Sequence, residues 1–191
     1  MKHFKVLRAW AIIAMALLMT ISVIADESIR TNDPENETRI APASSVLEAR
    51  ARARMLHELV RGTLQIMHRD FFDEDNAHAI PSASLEDVFH EMGDSYDVKM
   101  KWLTVNTDVV NVDHDPETPF EKDAVKLLAA GKPFAEKNTA DRYQFVGPIR
   151  LGSQCLKCHV KRRTSNDDRT AGLVITMPLA GKSPAAVSPA N

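Results

Sequence analysis

The chain has 191 residues, 44% hydrophobic and 26% charged, with a formal net charge of −2. Such a composition excludes collagen-like, low-complexity and wholly disordered chains, and a single apolar run of useful length excludes a polytopic membrane protein. The slightly acidic balance gives no electrostatic basis for binding nucleic acid, and two cysteines are too few for a disulfide scaffold.

Lys2, Lys5 and Arg8 precede an uncharged, mostly apolar run from Ala9 to Ile24, and Val23-Ile24-Ala25 resembles a small-residue cleavage site. The pattern is that of an export signal over residues 1–25, or of an uncleaved N-terminal membrane anchor. Either places the remainder outside the cytoplasm, in the periplasm or an equivalent exported compartment. Removing 1–25 takes away three of the 24 basic side chains and no acidic one, shifting the net charge from −2 to −5. An acidic domain argues further against DNA or anionic lipid as its partner. Residues 26–43 are polar and interrupted by prolines, and read as a linker, with a glycosylation-type triplet at Asn36. Residues 44–180 form the domain, and the Ala/Ser/Pro-rich stretch 181–191 reads as a flexible tail.

Three helices are expected. The first spans Val46 to Phe71, opened by a Ser45/Glu48 capping box, with an apolar stripe of Leu56, Leu59, Val60, Thr63, Leu64, Met67 and Phe71. A second runs from Leu85 to Met92, capped by Ser84, ended by Gly93, and buried through Leu85, Val88, Phe89 and Met92. The third starts at Thr118-Pro119-Phe120-Glu121, an N-cap followed by proline and an N3 glutamate, and stops at Gly131. Strand-like runs cover Val98 to Val105, Tyr143 to Ile149 and Leu173 to Met177, with Pro148 and Pro178 suggesting strand ends or an edge. With no βαβ rhythm, the expected class is α+β, an antiparallel sheet with helices packed on it.

Cys155-Leu156-Lys157-Cys158-His159 is a C-x-x-C-H sequence, the attachment pattern for one covalent haem c. Two thiols at this spacing reach the two vinyl groups of a porphyrin and form thioethers, and the adjacent histidine supplies the proximal nitrogen to iron. Other uses of the dithiol fit less well. A thioredoxin-type pair wants a βαβ context, a structural zinc site wants a second ligand cluster, and a local disulfide leaves His159 without a purpose.

From Tyr143, Phe145, Gly147, Pro148 and Ile149 through Cys155, Leu156, Cys158 and His159 to Ala171-Gly172 and Met177-Pro178, the chain resembles a family of bacterial and cyanobacterial c-type haem domains of PAS-like fold, long catalogued as a domain of unknown function. The stretch from His114 and Pro116 to Phe120-Glu121 resembles the same family, and the likeness extends over 45–179. It implies an antiparallel sheet with haem held near the C-terminal strands, a long N-terminal helix framing the pocket, and periplasmic or lumenal redox or sensory roles. Some members use a further cysteine after the first helix as second axial ligand; here that neighbourhood reads Ala79-Ile80-Pro81-Ser82-Ala83-Ser84.

The sixth iron ligand must then come from elsewhere. With Leu56 as zero and about 100° per residue, His57 and His68 point to about 100° and 120°, on one flank of a stripe centred near 20–40° and about 16 Å apart along the axis. His68 is the preferred distal ligand, because Phe71 and Phe72 offer porphyrin packing and Arg69 offers a cation to a propionate; His57 is second. The plainer reading is that both are boundary histidines with hydrogen bonds and no metal. His78 reads as a loop residue, His90 as solvent-facing, and His114 as orienting a loop or meeting a propionate. Met67 and Met177 have core packing as their ordinary explanation. Lys161-Arg162-Arg163 reads as a solvated loop or, less simply, as a contact for a propionate or an acidic redox partner. The expected function is one-electron transfer by an exported monohaem domain to a redox partner protein. A redox or small-ligand sensor acting through a partner is the alternative, and a peroxidase-like enzyme ranks last because no acid/base constellation supports it.

Overall fold

In the computed structural model the described residues are 40–72, 80–109, 111–153, 155–160 and 162–181, all within the compact unit Thr38–Asn191. The N-terminal apolar run, Asn36, His78, Lys161 and the tail after 181 lie outside them. The elements in order are α1 (Val46–Phe71), α2 (Pro81–Tyr96), β1 (Lys99–Thr104), a single 3-10 turn (Val112–His114), α3 (Pro119–Ala129), β2 (Ala135–Asn138), β3 (Arg142–Leu151), α4 (Leu156–His159) and β4 (Arg169–Pro178). The strands form one antiparallel sheet in the order β1-β4-β3-β2. The chain is therefore α+β, as its pattern implied.

Both faces of the sheet are covered. Tyr143, Phe145, Ile149 and Leu151 of β3, with Leu173, Ile175 and Met177 of β4 and Trp102 of β1, form one buried cluster with α1 and α2. Leu103, Val146 and Val174 face the other way, onto Ala124 and Leu128 of α3. This division follows from the pleat, which sends alternate side chains to opposite faces. Trp102 packs on Phe89 at 4.9 Å between centroids, and its indole N–H donates to the Ser82 carbonyl at 3.0 Å. On the α3 side Lys101 is held by the Asp115 carbonyl at 3.0 Å and by Glu117 and Glu121.

α1 has the expected limits, but its Glu48 carboxylate accepts from Ser44 N–H and Oγ while Ser45 Oγ accepts from Glu48 N–H. Its buried face is Ala49, Ala53, His57, Val60 and Leu64, whereas Leu59 and Phe71 are exposed. The stripe is thus centred near 60°, rotated from expectation toward the histidines. The reason is alanine: Ala49 and Ala53, fully buried, let the helix approach the sheet closely, and bulk alone does not mark that face. α2 is longer than expected at both ends. Pro81 occupies its first turn, Ser84 sits inside and returns its hydroxyl to the Ile80 carbonyl, and Gly93 is within the helix. The stop comes instead at Asp97, in the left-handed conformation with φ 54°, and Val88 proves half exposed. α3 matches its signals fully, with the Thr118/Glu121 capping box present and Gly131 at φ 77°.

β2 was not foreseen, because Ala-Glu-Lys-Asn carries no strand signal. It exists because Arg50 of α1 and the buried Tyr143 hydroxyl both bond the Glu136 carboxylate. Pro148 is not at a strand end but inside β3, opposite Gly172. β2 pairs only as far as Val146, so the side of Pro148 that lacks an N–H faces no neighbouring strand. Ala43, placed in the linker by its composition, is fully buried and bridges Leu179. Among the described residues no helix is long and apolar enough to cross a membrane.

Candidate functional site

After β3 the chain turns at Gly152, whose carbonyl accepts from Cys155 N–H at 2.9 Å, and enters the single turn α4. His159 N–H donates to the Cys155 carbonyl at 3.1 Å, so the motif is wound as helix. At about 100° per residue Cys155, Cys158 and His159 fall within roughly 100° of one another, on one side of that turn. Leu156, fully buried, anchors the turn in the core. The His159 carbonyl accepts from Asp108 N–H at 2.8 Å, which ties α4 to the loop after β1. Both cysteines are free thiols, Cys155 half-buried and Cys158 exposed. Burial pushes the Cys155 thiol above its usual range, so it stays protonated at neutral pH.

His159 is half-buried. Burial first, then the charges of His68 and His114, hold its ring below the ordinary histidine range. A neutral imidazole with an available lone pair is the form that ligates a metal. The two other histidines whose charge His159 feels are His68 from α1 and His114 from the 3-10 turn. α1 and β3 run in the same direction. His57 reaches Pro148 midway, and His68 lies about 16 Å further along the helix, toward the end of β3 that leads into α4.

His68 and His114 differ in their free atoms. His68 Nδ1 lies 3.3 Å from the Leu64 carbonyl, which accepts its proton and leaves Nε2 as the bare nitrogen. His114 Nε2 donates to the Glu86 carboxylate at 2.9 Å, and Asn111 Nδ2 lies 3.3 Å from the same nitrogen. Its neighbours Glu86 and Trp102 line a groove of about 490 Å³ between α2 and β1. The loop-orienting role read for His114 is therefore visible as a bond to α2, but no local signal indicated Glu86, 28 residues away.

The second candidate, His57, stands elsewhere. It is 5% exposed, its Nε2 donates to the Pro148 carbonyl at 3.2 Å, and its ring lies edge-on to Phe145 at 5.8 Å. This is a histidine committed to structure. Arg69 is exposed and holds Asp70 through Nε at 2.6 Å and a terminal nitrogen at 3.0 Å, so its guanidinium is engaged by its own neighbour. His90 is exposed, as its helix position implied. Among the described residues no three His, Cys, Asp or Glu side chains converge to hold a metal ion.

A family model described as Tll0287-like (Tll0287) matches residues 42–173. The chain belongs to the Tll0287-like family. The match runs from just before α1 into β4, so it takes in the helix that bears His68 as well as the C-x-x-C-H turn. A search of curated proteins finds no match to this Tll0287-like chain. Among solved structures it is similar to the crystal structure of the cyanobacterial heme-protein Tll0287, at 14% identity and a TM-score of 0.49, covering 80% of this chain and all of that one.

Proposed function

We propose that this chain is an exported c-type haem domain of PAS-like architecture that passes one electron to and from a partner protein. Cys155 and Cys158 would hold one haem c by thioethers, His159 would be the proximal ligand and His68 the distal one. The observation that carries this is the C-x-x-C-H sequence wound into one helical turn, which buried Leu156 and the Asp108 bond fix against the core. Membership in the family named for Tll0287, a protein described as a heme-protein, supports the same cofactor.

Bound haem supplies a one-electron iron couple. The protein's own residues do the rest. Leu156 and the Asp108 bond fix the turn, so that two thiols and an imidazole are presented together. Burial keeps the His159 ring unprotonated, and Leu64 fixes the tautomer of His68. His114, held by Glu86, adds a polar group at the margin and is not needed as a ligand. Arg69, exposed and paired with Asp70, is the candidate cation for a propionate.

The test is spectroscopic. Protein matured with haem should give a c-type pyridine haemochrome and a low-spin ferric spectrum without added ligand. Replacing His68 with Ala should convert the iron to high-spin, while His114→Ala should leave it low-spin. Purification with zinc and no porphyrin would overturn the cofactor. A wild-type ferrous form that is high-spin and binds CO at once would favour the ligand-sensing alternative over electron transfer.

A further inference from the structure

We propose that the outward face of α1 pairs with the same face of a second copy of this chain, forming a two-fold helix–helix dimer. On the side of α1 opposite its buried residues, Leu47, Ala51, Met55, Leu59, Gly62 and Ile66 follow one another at intervals of three and four residues. Leu47 is 71% exposed, Met55 68%, Leu59 64% and Ile66 50%. A helix that is apolar on both sides has one side left over after packing on its own sheet. From Met55 to Ile66 the spacing is 4-3-4, the period of a helix–helix seam.

Gly62 is the second observation. A Cβ placed there would meet nothing within 4 Å, so no contact within the monomer requires glycine in the middle of this long helix. Glycine there flattens the stripe where another helix would come closest.

The bordering charges identify the occupant. Most of them pair along the helix itself, Glu48 with Arg52, Glu58 with Arg61, and Arg69 with Asp70, while Arg54 has no ion pair among the described residues. A copy of the molecule always brings the same charges, so a rim of both signs that is mostly matched repels itself little. A uniformly basic rim would have pointed to an anionic bilayer. The stripe offers on the order of 500 Å² of apolar surface per copy, so a two-fold pairing buries about 1,000 Å², the threshold for a specific interface.

Sedimentation velocity on the full chain as produced, with neutral detergent if its N-terminal run is retained, should show a dimer at tens of micromolar. Leu59→Glu with Ile66→Glu should raise the dimer dissociation constant at least tenfold, with far-UV circular dichroism unchanged because both positions are exposed. Gly62→Lys guards against misfolding: it should raise the monomer's Tm, since lysine is the better helix former, and still weaken the dimer. A wild-type monomer at 100 µM would overturn the proposal, as would a dimer untouched by either variant. A full chain that is monomeric while a chain begun at Asp26 dimerises would assign the face to the N-terminal segment. Flotation with phosphatidylcholine–phosphatidylglycerol vesicles, lost in the double variant of a chain that never dimerises, would assign it to a bilayer. Either result also overturns self-pairing.

Discussion

A methyl group added to Gly147 would stand 2.4 Å from Cδ2 and 2.5 Å from Nε2 of His57. Real Cβ atoms do not approach so closely, and the ring cannot move away without losing the Pro148 carbonyl and its edge contact with Phe145. Gly147→Ala should therefore cost about 1–3 kcal/mol in urea unfolding. In a His57→Ala background the same change should cost far less, giving a coupling of about 1–2 kcal/mol in the double-mutant cycle. Additive costs would show that the ring does not lie over Gly147. The sequence carried half of this: Gly147-Pro148 is plainly special, but its partner lies 90 residues earlier. His57 serves a carbonyl that β2 is too short to reach.

Secondary-structure elements were legible where their ends carry local chemistry. α3 has a complete capping box and ends in a Schellman arrangement, with Gly131 N–H on the Leu128 carbonyl and Lys132 N–H on Leu127. α2 misleads because its glycine is not its end. Asp97 adopts the left-handed turn, and Asp97 and Val98 N–H donate to Gly93 and Met92. One substitution separates the two glycines. Gly93→Ala should stabilise by about 0.5–1 kcal/mol, since its helical backbone suits alanine and the new Cβ meets nothing. Gly131→Ala should destabilise by about 1 kcal/mol, because alanine is strained at φ 77°. Thermal melts giving both the same sign would refute this assignment of the helix ends. β2 stayed invisible for a related reason: its residues are polar, and what makes them a strand is the Arg50–Glu136–Tyr143 network.

At the scale of the whole molecule, burying α1 against the sheet takes a titratable ring out of water. Burial depresses the pKa of His57 below its ordinary 6.5, outweighing the opposing carboxylate of Glu58, while Arg61 adds to the depression. In the unfolded chain the ring takes up a proton near pH 6.5; in the fold it does so only at lower pH. The contribution to stability is therefore whole above pH 6.5 and is lost as the pH falls from there toward the folded value. Unfolding free energy should decline over that window, and more gently in His57→Gln, which keeps a donor for Pro148 without the titration. An identical decline in the variant would assign the slope to other groups.

The sequence by itself determined the class of fold and the spacing of its one dithiol–imidazole motif. C-x-x-C-H places two thiols and an imidazole together through a single turn of backbone, and caps and periodicities are likewise local. Tertiary structure decided between the two histidines of α1. Their directions on the helix differ by only about 20°, too little for periodicity to separate them. Ala49 and Ala53 let α1 close onto β3, which buried His57 against Pro148 and left His68 half-buried near the far end of the helix. That choice depends on how far along a strand each turn of helix falls, a long-range registration that no local pattern contains.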